Sequence, residues 1–211
     1  MNITKFGHAC LLIEEGDTRI LTDPGNYSTA QNSAGSVDAI LVTHEHPDHL
    51  DVPSLKAVLA QNPDAIVLTN RGAGKVLRGE GVACELLEHG QRRILKDVPI
   101  EGHGERHAAI YPTIAPVVNT GYFIAERFFY PGDALYQPER AVEILALPVA
   151  GPWLKLAEAI DYAQAVKPKT CFPVHDGMLK VFGSTHGIPE SILTPAGIVF
   201  SVIEVGGTKE L

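Results

Sequence analysis

Cysteine is scarce: three residues in 211, standing apart at Cys10, Cys84 and Cys171. An odd count with no Cys-x-x-Cys spacing excludes a disulfide framework and points to reduced, packed thiols. Long apolar runs are missing too. No stretch approaches the roughly 18 residues of a membrane span, and Met1 to Cys10 lacks the charged-then-apolar order of a signal peptide. The expected compartment is the cytoplasm. Positive charge is in deficit, with 17 Lys and Arg against 25 Asp and Glu and a formal charge of −8. That leaves no clustered cations for a nucleic-acid backbone and no basic patch for an anionic membrane. Pro/Gly/Ser-rich linkers, low-complexity tracts and internal repeats are absent, so residues 1–211 are expected to form one domain. There is no Gly-x-Ser-x-Gly nucleophile motif, and water is the natural nucleophile for any hydrolytic chemistry.

Histidine is what the chain has in abundance, with nine residues. Three fall in Thr43-His44-Glu45-His46-Pro47-Asp48-His49, directly after the apolar run Ala39-Ile40-Leu41-Val42. That run is short, uncharged and partly β-branched, and reads as a buried strand. In extended backbone His44 and His46 point the same way and Glu45 points away from them. Pro47 then favours a turn that carries Asp48 and His49 to a second, neighbouring position. One loop can thus serve two adjacent metal ions. Histidine nitrogen and aspartate oxygen suit zinc and similar ions, whose catalytic sites keep a position open for water. Two shells need roughly six to eight protein ligands, so later strand ends must contribute. Asp133 in its Pro-Gly turn, His175 after Cys-Phe-Pro-Val and a histidine of the 103–107 segment have that context.

Along the chain, strands are expected at residues 3–6, 9–13, 19–22, 39–42, 65–69, 82–86, 93–95, 98–101, 120–125, 127–130, 145–148, 170–174 and 197–205. Helices are expected at 53–61, from Gly72 to about Arg78, from Trp153 to Lys167, and around 178–182. The clearest is Trp153 to Lys167, where Leu156, Ile160 and Ala163 follow three-four spacing and Pro168 ends it. Asn26 to Ser36 reads as a mobile surface loop. Gly72-Ala73-Gly74 reads as a helix start rather than a phosphate cradle, because no full motif surrounds it. Asp176 reads as a helix cap, and Trp153 as helix packing. The order suggests an α/β fold: two β-sheets with helices outside, a four-layer αββα sandwich.

His-x-His-x-Asp-His after a strand resembles the signature of the metallo-β-lactamase superfamily. The resemblance covers roughly residues 3–204, with Asp23 in Leu-Thr-Asp-Pro, a mid-chain histidine, Gly132-Asp133 and His175 in the superfamily's order. With its early Gly7-His8-Ala9, the chain looks most like the branch containing L-ascorbate-6-phosphate lactonase and N-acylphosphatidylethanolamine-hydrolysing phospholipase D. The resemblance implies two divalent ions, zinc first and manganese or iron as alternatives. It places His44, His46 and His107 at one ion and Asp48, His49 and His175 at the other, with Asp133 bridging. It implies Asp23 as an outer carboxylate orienting the histidine loop, and His8 at the pocket edge, contacting substrate or the leaving group. Asp48 or His8 is expected to shuttle protons. Two histidines compete for one slot: His107 precedes the small residue Ala108 and is favoured, while His103 precedes Gly104.

The function so implied is hydrolysis of a small-molecule ester, lactone, phosphodiester or amide by a hydroxide held at the binuclear centre. The alternatives are a di-iron redox enzyme on the same scaffold and a non-catalytic metal-binding protein. The expected partner is a small-molecule substrate, with neither nucleic acid nor a membrane span, and homo-oligomerisation is left open.

Overall fold

The computed structural model describes residues 1–211. Strands β1 (Asn2–Gly7), β2 (Cys10–Glu15), β3 (Thr18–Thr22) and β4 (Ala39–Leu41) come first. Helix α1 (Val52–Gln61), strand β5 (Ile66–Thr69), helix α2 (Arg71–Gly79) and strand β6 (Glu85–Leu86) follow. Then come β7 (Arg92–Leu95), β8 (Val98–His103), β9 (Gly121–Ile124), β10 (Phe128–Tyr130) and β11 (Ile144–Pro148). Helix α3 (Leu156–Val166), β12 (Thr170–Val174), helix α4 (Gly183–Leu193), β13 (Val199–Phe200) and β14 (Thr208–Glu210) complete the chain.

The strands form two seven-stranded sheets, ordered β14-β1-β2-β3-β4-β5-β6 and β13-β12-β11-β10-β9-β8-β7. Between them lies a core of 19 buried residues that includes Ile3, Leu11, Leu41, Tyr122, Phe128 and Phe172. Leu55 and Val58 of α1 and Leu77 of α2 pack on the outer face of the first sheet. Ile160 and Ala163 of α3 and Leu193 of α4 pack on the outer face of the second. The result is the expected αββα sandwich.

The two sheets share one pairing plan although the sequence shows no repeat. In the first, β14-β1, β1-β2 and β2-β3 are antiparallel, and β3-β4, β4-β5 and β5-β6 are parallel. In the second, β7-β8, β8-β9 and β9-β10 are antiparallel, and β10-β11, β11-β12 and β12-β13 are parallel. Ligand sites in sheets of this kind form outside the carboxyl ends of parallel strands. Here β3, β4 and β5 of one sheet and β10, β11 and β12 of the other end at one rim, above the shared core.

Local chemistry fixes the elements. Asp51 caps α1 by accepting from the Ser54 amide, and Asn70 caps α2 by accepting from the amides of Gly72 and Ala73. The β9–β10 hairpin turns through Ala125 and Glu126, both at positive φ (54° and 55°), the geometry of a two-residue type I′ turn.

Several expectations need correction. Residues 26–36 are not without regular structure: Ala30–Ser33 form a 3₁₀ turn, and the buried Gln31 side chain donates to the Gly25 and Ser28 carbonyls and to Ser54 Oγ. A polar residue can anchor a loop from the inside when its hydrogen bonds are satisfied. Helix α3 starts at Leu156, so Trp153 lies outside it. No helix forms at 178–182; α4 occupies 183–193 instead, where Gly183, Gly187 and Pro189 read as breakers. Its buried Leu193 and Pro189 show packing overriding local propensity. The final strand is two short ones, β13 and β14, on opposite sheets. Asp176 caps nothing: it forms a buried ion pair with Lys5.

Candidate metal centre

The histidine loop after β4 is built around Asp23, which is fully buried at the end of β3 with φ of 36°. Its Oδ1 accepts from the Thr43 amide at 2.8 Å. Its Oδ2 accepts from Thr43 Oγ1 at 2.7 Å, His49 Nδ1 at 2.6 Å and Tyr130 OH at 2.6 Å. One carboxylate therefore ties β3, the loop after β4, and β10 of the opposite sheet. The close approach of the 23–25 turn to this loop requires glycine at position 25, where a Cβ would lie 1.8 Å from the Asp48 carbonyl oxygen. On the other sheet, Gly132 at φ of 63° turns Asp133 inward, and Asn119 Oδ1 accepts from the Asp133 amide at 3.0 Å. His8 and His175 also have positive φ, 50° and 60°. Left-handed backbone in non-glycine residues costs free energy and concentrates at functional sites, where the surrounding structure holds it.

Two groups of four side chains converge at the rim: His44, His46, His107 and Asp133 in one, and His8, Asp48, His49 and His175 in the other. Within each group the candidate ligand atoms all lie within 4.8 Å of one another. Asp133 stands between the groups. Its Oδ2 is 3.2 Å from His107 Nε2 and 2.9 Å from His175 Nε2, and its Oδ1 is 3.0 Å from His49 Nε2.

The outer partners fix which nitrogen faces the centre. His49 Nδ1 donates to Asp23, His107 Nδ1 to the Ala108 carbonyl at 2.6 Å, and His175 Nδ1 to the Ala150 carbonyl at 2.7 Å. Thr43 Oγ1 gives its proton to Asp23, so at 3.0 Å it accepts from His44 Nδ1. These four rings therefore turn Nε2 inward, which is how ligating histidines are oriented by their second nitrogen. His46 turns Nδ1 inward, 3.0 Å from His44 Nε2. His49 Nε2, His175 Nε2 and Asp133 Oδ1 are buried with no hydrogen-bond partner. Buried polar atoms are normally paired, and a cluster of orphans pointing at one spot fits a cation between them.

His8 differs from the other rings. Its Nδ1 accepts from the Gly177 amide at 3.1 Å, which places the proton on Nε2, 3.2 Å from Asp48 Oδ2. With that lone pair committed, His8 is a donor to Asp48 and not a ligand. It is also 2% exposed, with its ring centroid 4.7 Å from that of Tyr27 and 4.2 Å from that of His175.

Electrostatics follow the same layout. Burial pulls His49 down, but the carboxylates of Asp133 and Asp23 outweigh it and hold the ring well above its ordinary value. His175 is likewise opposed by burial, yet Asp133 and then Asp48 raise it to about 9. Burial opposes ionisation of Asp133 and Asp48 as well. The histidines around each carboxyl prevail, leaving both below the usual carboxylate range. Burial dominates for His44 and His8, and lowers His8 to about 4. A field that favours a proton at His49 and His175 favours any cation there.

His107, not His103, is in the cluster. His103 ends β8 with Nε2 3.5 Å from Glu101, against Phe123, Phe129 and Tyr136. Sequence reading missed Trp153, Tyr130 and Thr43. Trp153 Nε1 donates to Asp133 Oδ2 at 2.8 Å, and its only sequence signal was a lone tryptophan beside Gly151-Pro152. A cavity of about 420 Å³ opens over the cluster, lined by His46, Asp48, His107, Asp133 and His175 at its floor. Asn26, Tyr27, Ile110 and Met178 also line it.

Residues 2–175 match the family described as "Beta-lactamase superfamily domain". The chain is 38% identical over 184 residues to Protein Rv0786c of Mycobacterium tuberculosis, covering 85% of each chain. It is 24% identical over 223 aligned residues to a UPF0173 metal-dependent hydrolase of Alkaliphilus metalliredigens, covering 97% of this chain and 99% of that one. Among solved structures, Igni18, a metallo hydrolase from Ignicoccus hospitalis, superposes with a TM-score of 0.76 at 19% identity, covering 100% and 98% of the two chains.

Proposed function

The chain belongs to the beta-lactamase superfamily, and from that membership and the geometry of the rim we propose that it is a metal-dependent hydrolase with a two-ion centre. The observation that carries the reading is the set of four imidazoles whose Nδ1 atoms are committed to outer oxygens, around the partnerless buried Oδ1 of Asp133. His44, His46 and His107 would hold one ion, Asp48, His49 and His175 the other, and Asp133 both. Such ions, zinc by the donor set, would supply a water acidified toward neutral pH and a Lewis acid for the scissile group.

The chain's own residues do the rest. Asp23 orients His49 directly and His44 through Thr43, and joins them to Tyr130 across the sheets. Asp48 is the half-buried carboxylate at the cavity floor and can carry a proton from water to the leaving group. His8 acts through Asp48: donating to Oδ2 and fixed by the Gly177 amide, it is a positioning residue. We take residues 1–211 as one domain, supported by β14 at the carboxyl end pairing with β1 at the amino end. No helix is long and apolar enough to cross a membrane. The free thiols Cys10 and Cys171, both buried, accord with a reducing, cytoplasmic setting.

Metal analysis of protein purified without added metal is expected to find about two ions per chain, and Asp133→Ala to lower that occupancy. Absence of metal together with no hydrolysis of esters, lactones, phosphodiesters or amides would overturn the reading.

A further inference from the structure

The cavity over the cluster has an uneven distribution of charge. Its floor carries every lining histidine and carboxylate, His46, Asp48, His107, Asp133 and His175. Above the floor the walls are Tyr27, Ile110, Pro152, Trp153 and Met178, with Asn26 as the one amide. No lysine, arginine, serine or threonine lines the cavity. The nearest cations in sequence are Arg106, which lines a different hollow, and Lys155 and Lys180, exposed residues outside the cavity lining. The apolar character continues outward. Tyr27 is 49% and Met178 40% exposed at the mouth, and the two loops that supply Ile110 and Met178 also carry exposed Tyr111 and Val181. Large apolar side chains left in water around a concave site mark the part of the surface that meets a ligand.

We propose that the substrate is an uncharged carbonyl compound, an ester or lactone bearing an apolar group, and that the walls select against substrates carrying a phosphate or carboxylate away from the reacting bond. This narrows the hydrolase reading above and rests on it only for the reacting end. Burying an anionic group against Ile110, Pro152 and Met178 would strip its water without returning a hydrogen bond or a counter-charge, which is costly. The chain's formal charge of −8 opposes it further. Selection of this kind works by rejecting the wrong ligand as much as by gripping the right one. It departs from the phosphate-bearing molecules named in the two enzymes that the early Gly-His-Ala resembles. In the reaction, the oxygen of water bonds to the acyl carbon and the acyl–oxygen bond breaks. One water proton passes to the leaving alkoxide, and the other is released as the acid product ionises.

The test uses the metal-loaded full chain and two probe pairs that differ only in a terminal charge. The first pair is para-nitrophenyl hexanoate and mono-para-nitrophenyl adipate, which present the same ester bond. The second is the corresponding anilides, N-(para-nitrophenyl)hexanamide and its adipic mono-acid. The anilides are read by quenching of Trp153, the one tryptophan of the chain and a wall of the cavity, so this arm reports binding whether or not turnover occurs. Both kcat/KM and affinity are expected to favour the neutral probe by about tenfold or more, the equivalent of about 1.4 kcal/mol. Met178→Arg, at the exposed mouth, is expected to shrink or invert that ratio, and Lys180→Ala to leave it unchanged. Equal or better binding of the acid probe, no binding of the neutral one, or loss of acid-probe binding in Lys180→Ala would overturn the proposal. Preference for the neutral anilide without turnover of either ester supports the cavity assignment and counts against the hydrolase reading alone.

Discussion

Replacing Trp153 with phenylalanine deletes one hydrogen bond at the centre while keeping a flat apolar ring in the cavity wall. The indole Nε1 donates to Asp133 Oδ2 at 2.8 Å, and Trp153 is only 8% exposed. A hydrogen bond to a charged acceptor contributes about 1.5–3 kcal/mol, and each 1.4 kcal/mol is about a factor of ten in affinity. Removing outer partners of ligating groups typically costs about 10- to 100-fold in metal affinity, which agrees. One contact moderates the loss, since the Asp133 amide still donates to Asn119 Oδ1 at 3.0 Å. The carboxylate is loosened but not orphaned, so the lower end, about tenfold weaker zinc binding, is the expected outcome. Competition against a chromophoric chelator measures the affinity, and circular dichroism checks that the fold is retained. Unchanged affinity in a folded W153F protein would refute the argument that Trp153 orients Asp133.

His107→Ala is expected to lower metal content while His103→Ala leaves it at the wild-type level; elemental analysis of the two proteins side by side decides between them. Lys5→Met removes the ammonium that donates to both Asp176 oxygens at 2.7 and 2.8 Å and to the Pro173 carbonyl. Breaking a buried pair from one side costs about 3–5 kcal/mol, to be read as a fall in the urea midpoint and eased by adding Asp176→Asn. Burial pushes Asp38 up, but hydrogen bonds from Lys96 and the Arg19 amide prevail and leave it below its ordinary value. Its contribution is therefore complete above the unfolded value, about pH 3.9, and fades as pH falls through the folded one. Asp38→Asn should lose less stability than wild type in urea melts run from neutral toward pH 3. Gly25→Ala places a Cβ 1.8 Å from the Asp48 carbonyl; the loop must shift, and calorimetry should show a lower Tm together with weaker metal retention.

The histidine loop was legible because its chemistry is contiguous: a buried apolar run delivers His44, His46, Asp48 and His49 within six positions. Asp133 and His175 were legible because each follows a strand whose burial is strong and local. The partners of those residues were not. Tyr130 reads as one more strand aromatic, and only the packing of the two sheets brings its hydroxyl 2.6 Å from Asp23. Trp153 fitted a helical stripe with Leu156 and Ile160, but the chain stays irregular until Lys155 and turns the indole toward Asp133. Asp176 resembled a cap because its partner, Lys5, is 171 residues away. Helix α4 was hidden by Gly183, Gly187 and Pro189, whose local preferences lose to burial against α3 and the second sheet. The choice between His103 and His107 depended on how far the chain runs past β8 before turning inward, which no spacing rule supplies.

Each four-residue group draws on both sheets: His44 and His46 with His107 and Asp133, and His8, Asp48 and His49 with His175. A cation in either group is therefore a cross-link across the seam between two similarly wired halves. By mass action it adds to the cohesion of that seam, about 2.7 kcal/mol at a hundredfold excess over Kd. A chain cut at the exposed Gly90–Gln91 turn would yield two pieces whose reassembly follows the free metal concentration, with a chelator as the release signal.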